Sequence, residues 1–335
     1  MARPIRRARW HVSLRWDARA ARTRRADLSV FHDFVPAPAG GAHQTLRAVL
    51  GEMARRGVGI EHGAASSATR AVLFNSFNFD ADRLEWFAAR APAGCRMIHR
   101  VGAVTTLYRG YDDGTDAHVA DVNRRLADMT LAISQATIDM YRRIGIQLVR
   151  PQVVHNGVDS AIFHREGRAL FDSSRRTRLI AVSWSDNPHK GGPFYRWLES
   201  VLDWSRYEFT FVGNSRETFE RARVLPPLSP GDLADVLRQH DIVVTATQHD
   251  AYSNALVEAL SCGLPAIYLK SGGSGEAVKD AGFGFSDWEE VPALLERLRD
   301  EYEARQALIA LPTLGEVADA YLRVLGLDDF VRPWT

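Results

Sequence analysis

The sequence predicts an α/β protein built from two doubly wound parallel sheets. Apolar segments of strand length alternate with amphipathic segments of helix length along most of the chain. A polar, irregular stretch, Ser160–Thr177, interrupts this alternation, which then starts again. The length of 335 residues suits two domains of ordinary size, and 46% hydrophobic with 25% charged residues is a globular composition.

The N-terminal half is predicted to contain five strands and four helices. The predicted strands are Leu28–Val35, Ala71–Phe74, Arg96–Val101, Met129–Ile133 and Gln152–His155. The predicted helices are Ala42–Arg56, Asp82–Arg90, Asp116–Leu126 and Gln135–Ile144. In the first of these helices, apolar residues recur at helical spacing, which indicates one buried face.

The C-terminal half repeats the pattern. The predicted strands are Arg178–Ser183, Tyr207–Val212, Ile242–Thr245 and Ala266–Leu269. The predicted helices are Gly192–Trp204, Pro230–His240, Asn254–Cys262, Gly275–Asp280, Trp288–Arg305 and Leu314–Val324. Ligands of open α/β sheets bind beyond the carboxyl ends of the strands. Two such sheets that face each other would therefore hold their site in the cleft between them.

Composition excludes several classes of protein. The formal net charge is +1, which does not indicate a nucleic-acid partner. The two cysteines, Cys95 and Cys262, lie far apart in apolar segments, so we expect a reducing, cytoplasmic environment and no disulfide framework. No apolar run approaches the roughly 20 residues of a membrane span, and no signal peptide is expected.

Nine arginines and two tryptophans crowd the first 25 residues. One interpretation is a basic tail, or a start codon assigned too early. The other is an arm, residues 1–27, that makes weak contact with anionic lipid headgroups on the inner face of a membrane.

The most informative segment is Thr245–Glu258, in which a strand ends, a loop holds Asp250 and a helix begins. Ser253 or Asn254 can cap that helix. The free N–H groups at a helix N-terminus form a site for phosphate. Glu258 lies one turn into the helix, where its carboxylate can accept hydrogen bonds from a ribose diol. An ordinary capped αβ unit would explain either feature alone.

Three elements in order make the segment resemble the donor site of glycosyltransferase family 4. They are the pair of acids Asp250-x7-Glu258, the run Ala259–Pro265 and the glycine turn Gly272-Gly273-x-x-Glu276. The resemblance implies that Glu258 binds the ribose of a nucleotide and that Asp250 lies beside the donor sugar. The family usually has Glu where this chain has Asp250, which leaves the choice of sugar open.

A lysine supports the resemblance. Lys190 follows the strand Arg178–Ser183 in a glycine-containing loop, and the chain has only three lysines. The family's lysine at this place neutralises the donor diphosphate, a role that suits the point charge of lysine. The family also has an arginine five residues earlier, where this chain has Ser185.

The N-terminal half resembles the acceptor domain of the same family. Gly40-Gly41 match a glycine pair that lets the backbone approach the donor phosphate and the acceptor, although a simple βα turn explains them equally well. His99 matches a histidine at a strand tip that faces the donor sugar. The segment 155–163 (HNGVDSAIF) resembles the link between the domains and is interpreted as structural. The loop Tyr108–Gly110 could touch the acceptor.

The resemblance implies the GT-B fold, in which two Rossmann-like domains face each other across a cleft. The expected regions are a basic arm (1–27), an acceptor-binding domain (28–163), a linker (164–177), a nucleotide-sugar-binding domain (178–312) and a C-terminal helix (313–335) that crosses back to the N-terminal domain. The expected catalytic residues are His99, Lys190 and Asp250. The expected donor-binding residues are Gly41, Lys190, Ser253, Asn254, Ala255 and Glu258.

The implied function is retaining transfer of a sugar from a nucleotide diphosphate sugar to a hydroxyl of a glycan, a lipid-linked molecule or a small molecule. No DxD-type run suggests a catalytic metal, so transfer is expected to need neither metal nor cofactor. Two alternatives stay open: a catalytically silent sugar-nucleotide binder that regulates a partner, and a GT-B epimerase or hydrolase.

Overall fold

The computed structural model describes residues 26–35, 41–64 and 66–331, which form two α/β domains. Each domain contains one six-stranded sheet, and every strand pair in both sheets is parallel. The first 25 residues of the predicted arm and Gly40 lie outside the described residues. Within the described ranges, no helix has both the length and the apolar character that crossing a membrane requires.

The N-terminal sheet has the strand order β2-β1-β3-β4-β5-β6. Its strands are β1 (Leu28–Phe31), β2 (Ile60–His62), β3 (Ala71–Asn75), β4 (Arg96–Val101), β5 (Met129–Ala132) and β6 (Pro151–Val153). Its helices are α1 (Gly41–Arg55), α2 (Ala81–Ala88), α3 (Thr105–Arg109), α4 (Thr115–Leu126) and α5 (Gln135–Arg143). The loops after β1, β3 and β4 all lie at the same edge of this sheet, because the strands are parallel.

The C-terminal sheet has the order β12-β11-β10-β7-β8-β9. Its strands are β7 (Thr177–Ser183), β8 (Tyr207–Gly213), β9 (Arg223–Leu225), β10 (Ile242–Thr245), β11 (Ala266–Leu269) and β12 (Gly282–Phe285). The helices of this half are α6 (Gly192–Val201), α7 (Pro230–Arg238), α8 (Asn254–Ser261), α9 (Ser274–Val278), α10 (Val291–Asp300), α11 (Tyr302–Ala307) and α12 (Leu314–Leu325).

The strands β4, β10 and β11 have the bounds that the sequence predicts, whereas other segments differ. The first predicted strand ends at Phe31 rather than Val35. The single helix predicted at Trp288–Arg305 is a 3₁₀ turn followed by α10 and α11. Pro292 occupies the first turn of α10, where its missing N–H costs no intrahelical bond, so a new helix begins there.

The three strands that the sequence analysis missed, β2, β9 and β12, all lie at sheet edges. β2 and β9 have three residues each and carry no buried side chain, so they show no alternation of apolar residues. β12 contains two glycines, which usually count against a strand. A Cβ at Gly282 would lie 2.0 Å from the carbonyl oxygen of Ala266, so close approach to β11 requires that glycine.

The last helix, α12, packs on the N-terminal domain. Its buried face joins the core that α1 forms with the N-terminal sheet, and the shared residues include Leu46, Val49, Val317, Tyr321 and Leu322. Burial of each such aliphatic side chain contributes about 1.5–3 kcal/mol.

Arg56, at the end of α1, adds a polar contact to this packing. Its guanidinium is 3% exposed and bonds both Glu52 of α1 and Asp319 of α12. The C-terminal helix is therefore held to the N-terminal domain by a shared apolar core and by buried polar contacts such as this one.

Glu276, from the glycine turn of the C-terminal domain, caps a helix of the N-terminal domain. Its carboxylate accepts hydrogen bonds from the amides of Gln135 (2.8 Å) and Ala136 (2.7 Å) and from Nε2 of His155 (3.1 Å). Burial raises the pKa of Glu276, but these hydrogen bonds outweigh burial and hold the pKa below its ordinary value. The ionised carboxylate therefore stabilises the contact between the domains.

We expect Glu276→Gln to destabilise the protein by about 1 kcal/mol at pH 7, because a neutral amide is a weaker cap. A carboxyl with a lowered pKa stabilises above its unfolded pKa and loses that effect as the pH falls through the folded pKa. The difference between the proteins, measured by denaturant unfolding, should therefore shrink below pH 4.5. The exposed Glu289→Gln is the control, and an equal loss at pH 7 and pH 3.5 would contradict a charge effect.

Candidate active site

The loop between β10 and α8 presents a helix N-terminus to the cleft between the domains. Ser253 is the N-cap of α8, and its Oγ accepts from the amide of Leu256 at 3.5 Å. The amides in the first turn of a helix have no partner within it, so those of Asn254 and Ala255 face outward from the helix end. His249 adopts a φ of 53°, an unusual value for a residue with a side chain, just before Asp250.

The glycine turn Gly272-Gly273 supports the loop that carries Asp250. The amide of Gly273 donates to the carbonyl oxygen of Asp250 at 2.8 Å. A Cβ at Gly272 would lie 2.0 Å from that oxygen, and one at Gly273 would lie 2.0 Å from the carbonyl oxygen of Ala251. These glycines are thus required by close backbone packing, which fixes the position of Asp250.

Lys190 ends a 3₁₀ turn that follows β7, and Gly191, with a φ of 88°, leads into α6. The Nζ of Lys190 donates to Oδ2 of Asp250 at 2.7 Å and lies 5.1 Å from the ring centre of Tyr108. Burial lowers the pKa of Lys190, but the charge of Asp250 outweighs burial and raises the pKa above its ordinary value. Lys190 is therefore a fixed positive charge paired with a carboxylate.

Six of the predicted site residues line one cleft of about 400 Å³ between the two domains. They are Lys190, Asp250, Ser253, Asn254, Ala255 and Glu258. The opposite wall comes from the N-terminal domain, chiefly the residues that follow β3 and β4. The C-terminal donor motif and the lysine loop, separated by about 60 residues in sequence, thus meet at the carboxyl ends of the strands.

Glu258 is partly buried in this cleft, and the described residues give its carboxyl group no hydrogen-bond partner. Burial raises the pKa of Glu258 to about 8. The carboxyl is therefore largely protonated at neutral pH. A buried polar group without a partner is costly, and such groups concentrate at functional sites.

The structure contradicts the prediction that His99 faces the donor sugar. His99 is 0% exposed within β4, does not line the cleft and stacks on Phe74 at 4.4 Å. Its Nε2 donates to the carbonyl oxygen of Ser76 (2.9 Å), and its Nδ1 accepts from Asn123 (3.1 Å). Successive side chains of a strand point to opposite faces of the sheet, and that of His99 points toward the helices. At the end of β4, Gly102 is the residue that lines the cleft.

His99→Ala is therefore expected to destabilise the fold by about 1–3 kcal/mol, because it leaves buried polar groups unpaired. Burial lowers the pKa of His99 to about 4, so the lost group is neutral at pH 7. The affinity for nucleoside diphosphate should be unchanged. Denaturant unfolding and calorimetry check the two quantities, and reduced turnover in a variant of unchanged stability would restore the catalytic interpretation.

Gly41 begins α1 at the place of the predicted βα turn, and its contact with the donor cleft stays a prediction. Gln44, one turn further along the same helix, does line it. Tyr108 and Arg109 also line the cleft, and the carbonyl oxygen of Tyr108 accepts from Asn187 Nδ2 and His189 Nδ1, both at 3.0 Å. The end of helix α3, where the sequence predicted a loop, therefore bridges the two domains beside Lys190.

Several cleft residues were not found from the sequence. Asn75 ends β3, Ser76 and Asn78 follow it, and Arg100 lies next to His99 on β4. The available signal for Arg100 was strand alternation, which gives neighbours opposite faces. Asn156 was interpreted as a turn residue, but its Nδ2 donates to Oδ1 of Asn254 at 3.0 Å and so connects the domain link to α8.

Ser185 stands at the sequence position where the family has an arginine. Ser185 is part of a tight turn in which its carbonyl oxygen accepts from Ser183 Oγ at 2.7 Å and its Oγ accepts from the amide of Asn187 at 3.1 Å. Among the described residues, no three His, Cys, Asp or Glu side chains are grouped so that they could hold a metal ion. Cys95 and Cys262 are both free.

Residues 214–310 match the family of glycosyl transferases group 1. A D-inositol 3-phosphate glycosyltransferase from Rhodococcus erythropolis is 34% identical over 95 residues, which cover 28% of this chain and 20% of that protein. A D-inositol 3-phosphate glycosyltransferase from Mycobacterium bovis is 26% identical over 211 residues, which cover 54% of this chain and 43% of that protein. The chain thus spans less than half the length of these curated relatives.

Solved structures share the whole architecture. Sucrose-phosphate synthase from Thermosynechococcus elongatus aligns with a TM-score of 0.64 and 12% identity over 89% of this chain and 94% of that chain. The catalytic domain of starch synthase IV from Arabidopsis thaliana, bound to ADP and acarbose, aligns with a TM-score of 0.66 and 12% identity. This alignment covers 92% of this chain and 100% of that chain.

Anabaena HepE in complex with UDP-glucose gives a TM-score of 0.60 and 14% identity over 91% of this chain and 98% of that chain. Both six-stranded sheets are therefore arranged as in GT-B proteins, which confirms the predicted fold. The chain is a GT-B protein similar to glycosyltransferase family 4, and its match to the glycosyl transferases group 1 lies within the C-terminal domain.

Proposed function

We propose that the protein is a retaining glycosyltransferase that moves a sugar from a nucleotide diphosphate sugar to a hydroxyl acceptor. The convergence of Lys190, the N-terminus of α8 and Glu258 on one cleft is the observation that carries this proposal. A cation, free amides and a carboxyl group are the partners that a diphosphate and a ribose diol need.

In the proposed mechanism, charge grows on the diphosphate as the bond to the sugar breaks. Lys190 and the amides of Asn254 and Ala255 stabilise this charge, so transfer requires neither metal nor cofactor. Glu258 holds the ribose and contributes to binding. Asp250 accepts a hydrogen bond from Lys190 at 2.7 Å and turns to the donor sugar when the diphosphate binds this lysine. The leaving diphosphate assists the incoming hydroxyl on the same face, which retains the configuration.

The acceptor enters from the N-terminal wall, where Tyr108 and Arg109 meet the lysine loop. A glycan, a lipid-linked molecule and a small molecule are all compatible with this wall. The relatives named above act on an inositol phosphate according to their names, and HepE was crystallised with UDP-glucose. Inositol phosphate and UDP-sugars are therefore the first acceptor and donors to test. A cytoplasmic location and contact of the arm with lipid headgroups stay predictions.

A panel of UDP-, ADP- and GDP-sugars, screened by thermal shift and followed by mass spectrometry of products with acceptor supplied, tests the proposal. A ligand at about 100 times its dissociation constant adds about 2.7 kcal/mol of stability, which is readily measured. We expect one donor to bind and its sugar to appear on the acceptor with retained configuration in the presence of a chelator. Loss of transfer on chelation, restored by manganese, would contradict the proposed mechanism.

The same experiment distinguishes the proposed transferase from a second candidate function, that of a silent sugar-nucleotide binder. The ion pair between Lys190 and Asp250, together with Ser185 in place of a cation, favours this candidate, because both reduce the charge available to the diphosphate. A silent binder would bind the donor and release no nucleotide with any acceptor. Release of free sugar, or of an epimerised donor, without an acceptor would instead indicate a hydrolase or an epimerase.

A further inference from the structure

Arg100 is a buried cation at the floor of the cleft. It lies on β4 of the N-terminal domain, is 1% exposed and lines the same cavity as Lys190 and Glu258. It is among the largest fully buried side chains of the protein. The proposed donor chemistry uses only groups of the C-terminal domain and leaves Arg100 without a role.

Each hydrogen-bond partner of the Arg100 guanidinium is neutral. Nε donates to the hydroxyl of Tyr321 (2.7 Å), Nη1 to Oδ1 of Asn75 (2.8 Å) and Nη2 to Oδ1 of Asn156 (2.8 Å). Among residues 26–35, 41–64 and 66–331, no carboxylate forms an ion pair with it. A guanidinium has five N–H groups, so three bonds leave two donors free.

The other charges of the cleft are balanced. Lys190 is paired with Asp250, and Arg109 is paired with Asp113. Burial raises the pKa of Glu258 to about 8, so this carboxyl is largely protonated at neutral pH. Arg100 is therefore the charge that the described part of the cleft leaves uncompensated.

Burying an ion without a counter-charge costs much more free energy than burying a neutral hydrogen-bonding group. A side chain that only tied Tyr321, Asn75 and Asn156 together would not need a charge. We propose that Arg100 supplies the counter-charge for an anionic group, a phosphate or a carboxylate, on the acceptor. This inference rests on the proposed transferase function and narrows its acceptor to an anionic molecule.

The position of Arg100 assigns the anion to the acceptor rather than to the donor. Arg100 belongs to the N-terminal wall, together with Asn75 and the residues that follow β3. The amide side chain of Asn156 separates it from the N-terminus of α8, where the donor diphosphate is proposed to bind. The donor already has Lys190 as its cation.

The test uses the full chain saturated with the nucleoside diphosphate that the panel identifies, so that the donor subsite is filled. Inorganic phosphate and acetate are then titrated separately and followed by thermal shift, which distinguishes a phosphate site from a carboxylate site. We expect one of these anions to stabilise the wild-type protein. Arg100→Gln should lower the affinity for that anion at least about tenfold, which is the loss expected for a charged hydrogen bond. The affinity for nucleoside diphosphate should stay within about twofold of the wild-type value.

A second variant keeps the test decisive if Arg100→Gln does not fold. Asn75→Asp places a carboxylate of the same shape on Nη1 of Arg100 and so compensates its charge within the protein. We expect this variant to unfold at a higher temperature than the wild type without anion and to lose the response to anion. Tyr321→Phe, which removes one neutral bond and keeps the charge uncompensated, should retain the response.

Three results would overturn the proposal: no anion response in the wild type, an unchanged response in Arg100→Gln or Asn75→Asp, and a selective loss of nucleoside diphosphate affinity in either variant. The last result would assign Arg100 to the donor. Because the comparison of Asn75→Asp with the wild type needs no nucleotide, failure to bind any nucleotide would contradict the transferase proposal without deciding the role of Arg100.

Discussion

Lys190→Ala is expected to lower turnover by about 10²–10³-fold, the effect of removing one group that stabilises developing charge. The same variant should bind nucleoside diphosphate about 10–100-fold more weakly and nucleoside with unchanged affinity. Lys190 is held against Asp250 at 2.7 Å and, in the proposed mechanism, acts only on the phosphates. Charge on the leaving phosphate grows in the transition state, so both kcat and kcat/KM should fall.

Calorimetry with nucleoside and nucleoside diphosphate, combined with single-turnover kinetics, checks this prediction. Lys270→Ala is a matched control, because Lys270 is exposed and does not line the cleft. Removal of Lys190 leaves the carboxylate of Asp250 without its ion-pair partner, so Lys190→Ala combined with Asp250→Asn separates this side effect from lost phosphate binding. Equal losses of nucleoside and nucleoside diphosphate affinity would show that Lys190 does not contact the phosphates.

The C-terminal wall of the cleft was largely predictable because its residues are close in sequence and follow local rules. A strand, a capped helix and a glycine turn place Asp250, Ser253 and Glu258 without any long-range information. The close approach of Gly272 to the backbone of Asp250 is a tertiary contact, but its signature is a glycine that sequence reading can find.

The N-terminal wall of the cleft was less predictable because it depends on which face of a strand each side chain occupies. His99 and Arg100 are adjacent, and β4 is buried on both faces, so hydrophobic alternation does not reveal which one meets the cleft. Hydrogen-bond partners far away in sequence determine which side chain faces the cleft. They are Asn123 for His99 and Tyr321 for Arg100. The link between Asn156 and Asn254 likewise joins residues 98 positions apart and leaves no local pattern.

Glu258 is expected to make nucleoside binding strongly dependent on pH. Burial raises the pKa of this carboxyl to about 8. A ribose diol donates hydrogen bonds, so it binds the ionised carboxylate better than the protonated acid. We therefore expect nucleoside binding at pH 6.5 to release close to one proton. The affinity should rise up to tenfold per pH unit until about pH 8 and then level off. In Glu258→Gln, binding should release no proton and its affinity should not change with pH.

The raised pKa of Glu258 also predicts that its contribution to the free energy of unfolding falls as the pH rises. The folded state holds the proton of Glu258 more tightly than the unfolded chain, where the pKa is near 4.5. Its stability contribution is therefore fully present below about pH 4.5, is lost as the pH rises toward 8 and is constant above 8. The wild type should lose up to about 1.4 kcal/mol per pH unit relative to Glu258→Gln across this window.

Calorimetry in buffers of different ionisation enthalpy measures the released proton, and the nucleoside is the better ligand because it carries no phosphate that titrates. Denaturant unfolding at pH 5, 6, 7 and 8 measures the stability difference, with the exposed Glu289→Gln as control. At pH 8 Glu258→Gln should bind nucleoside roughly tenfold or more weakly than the wild type, because a charged hydrogen bond is lost. Proton release by the variant would mean that another group titrates when the ribose binds. A stability difference that does not change with pH would mean that Glu258 is ionised in the unliganded protein.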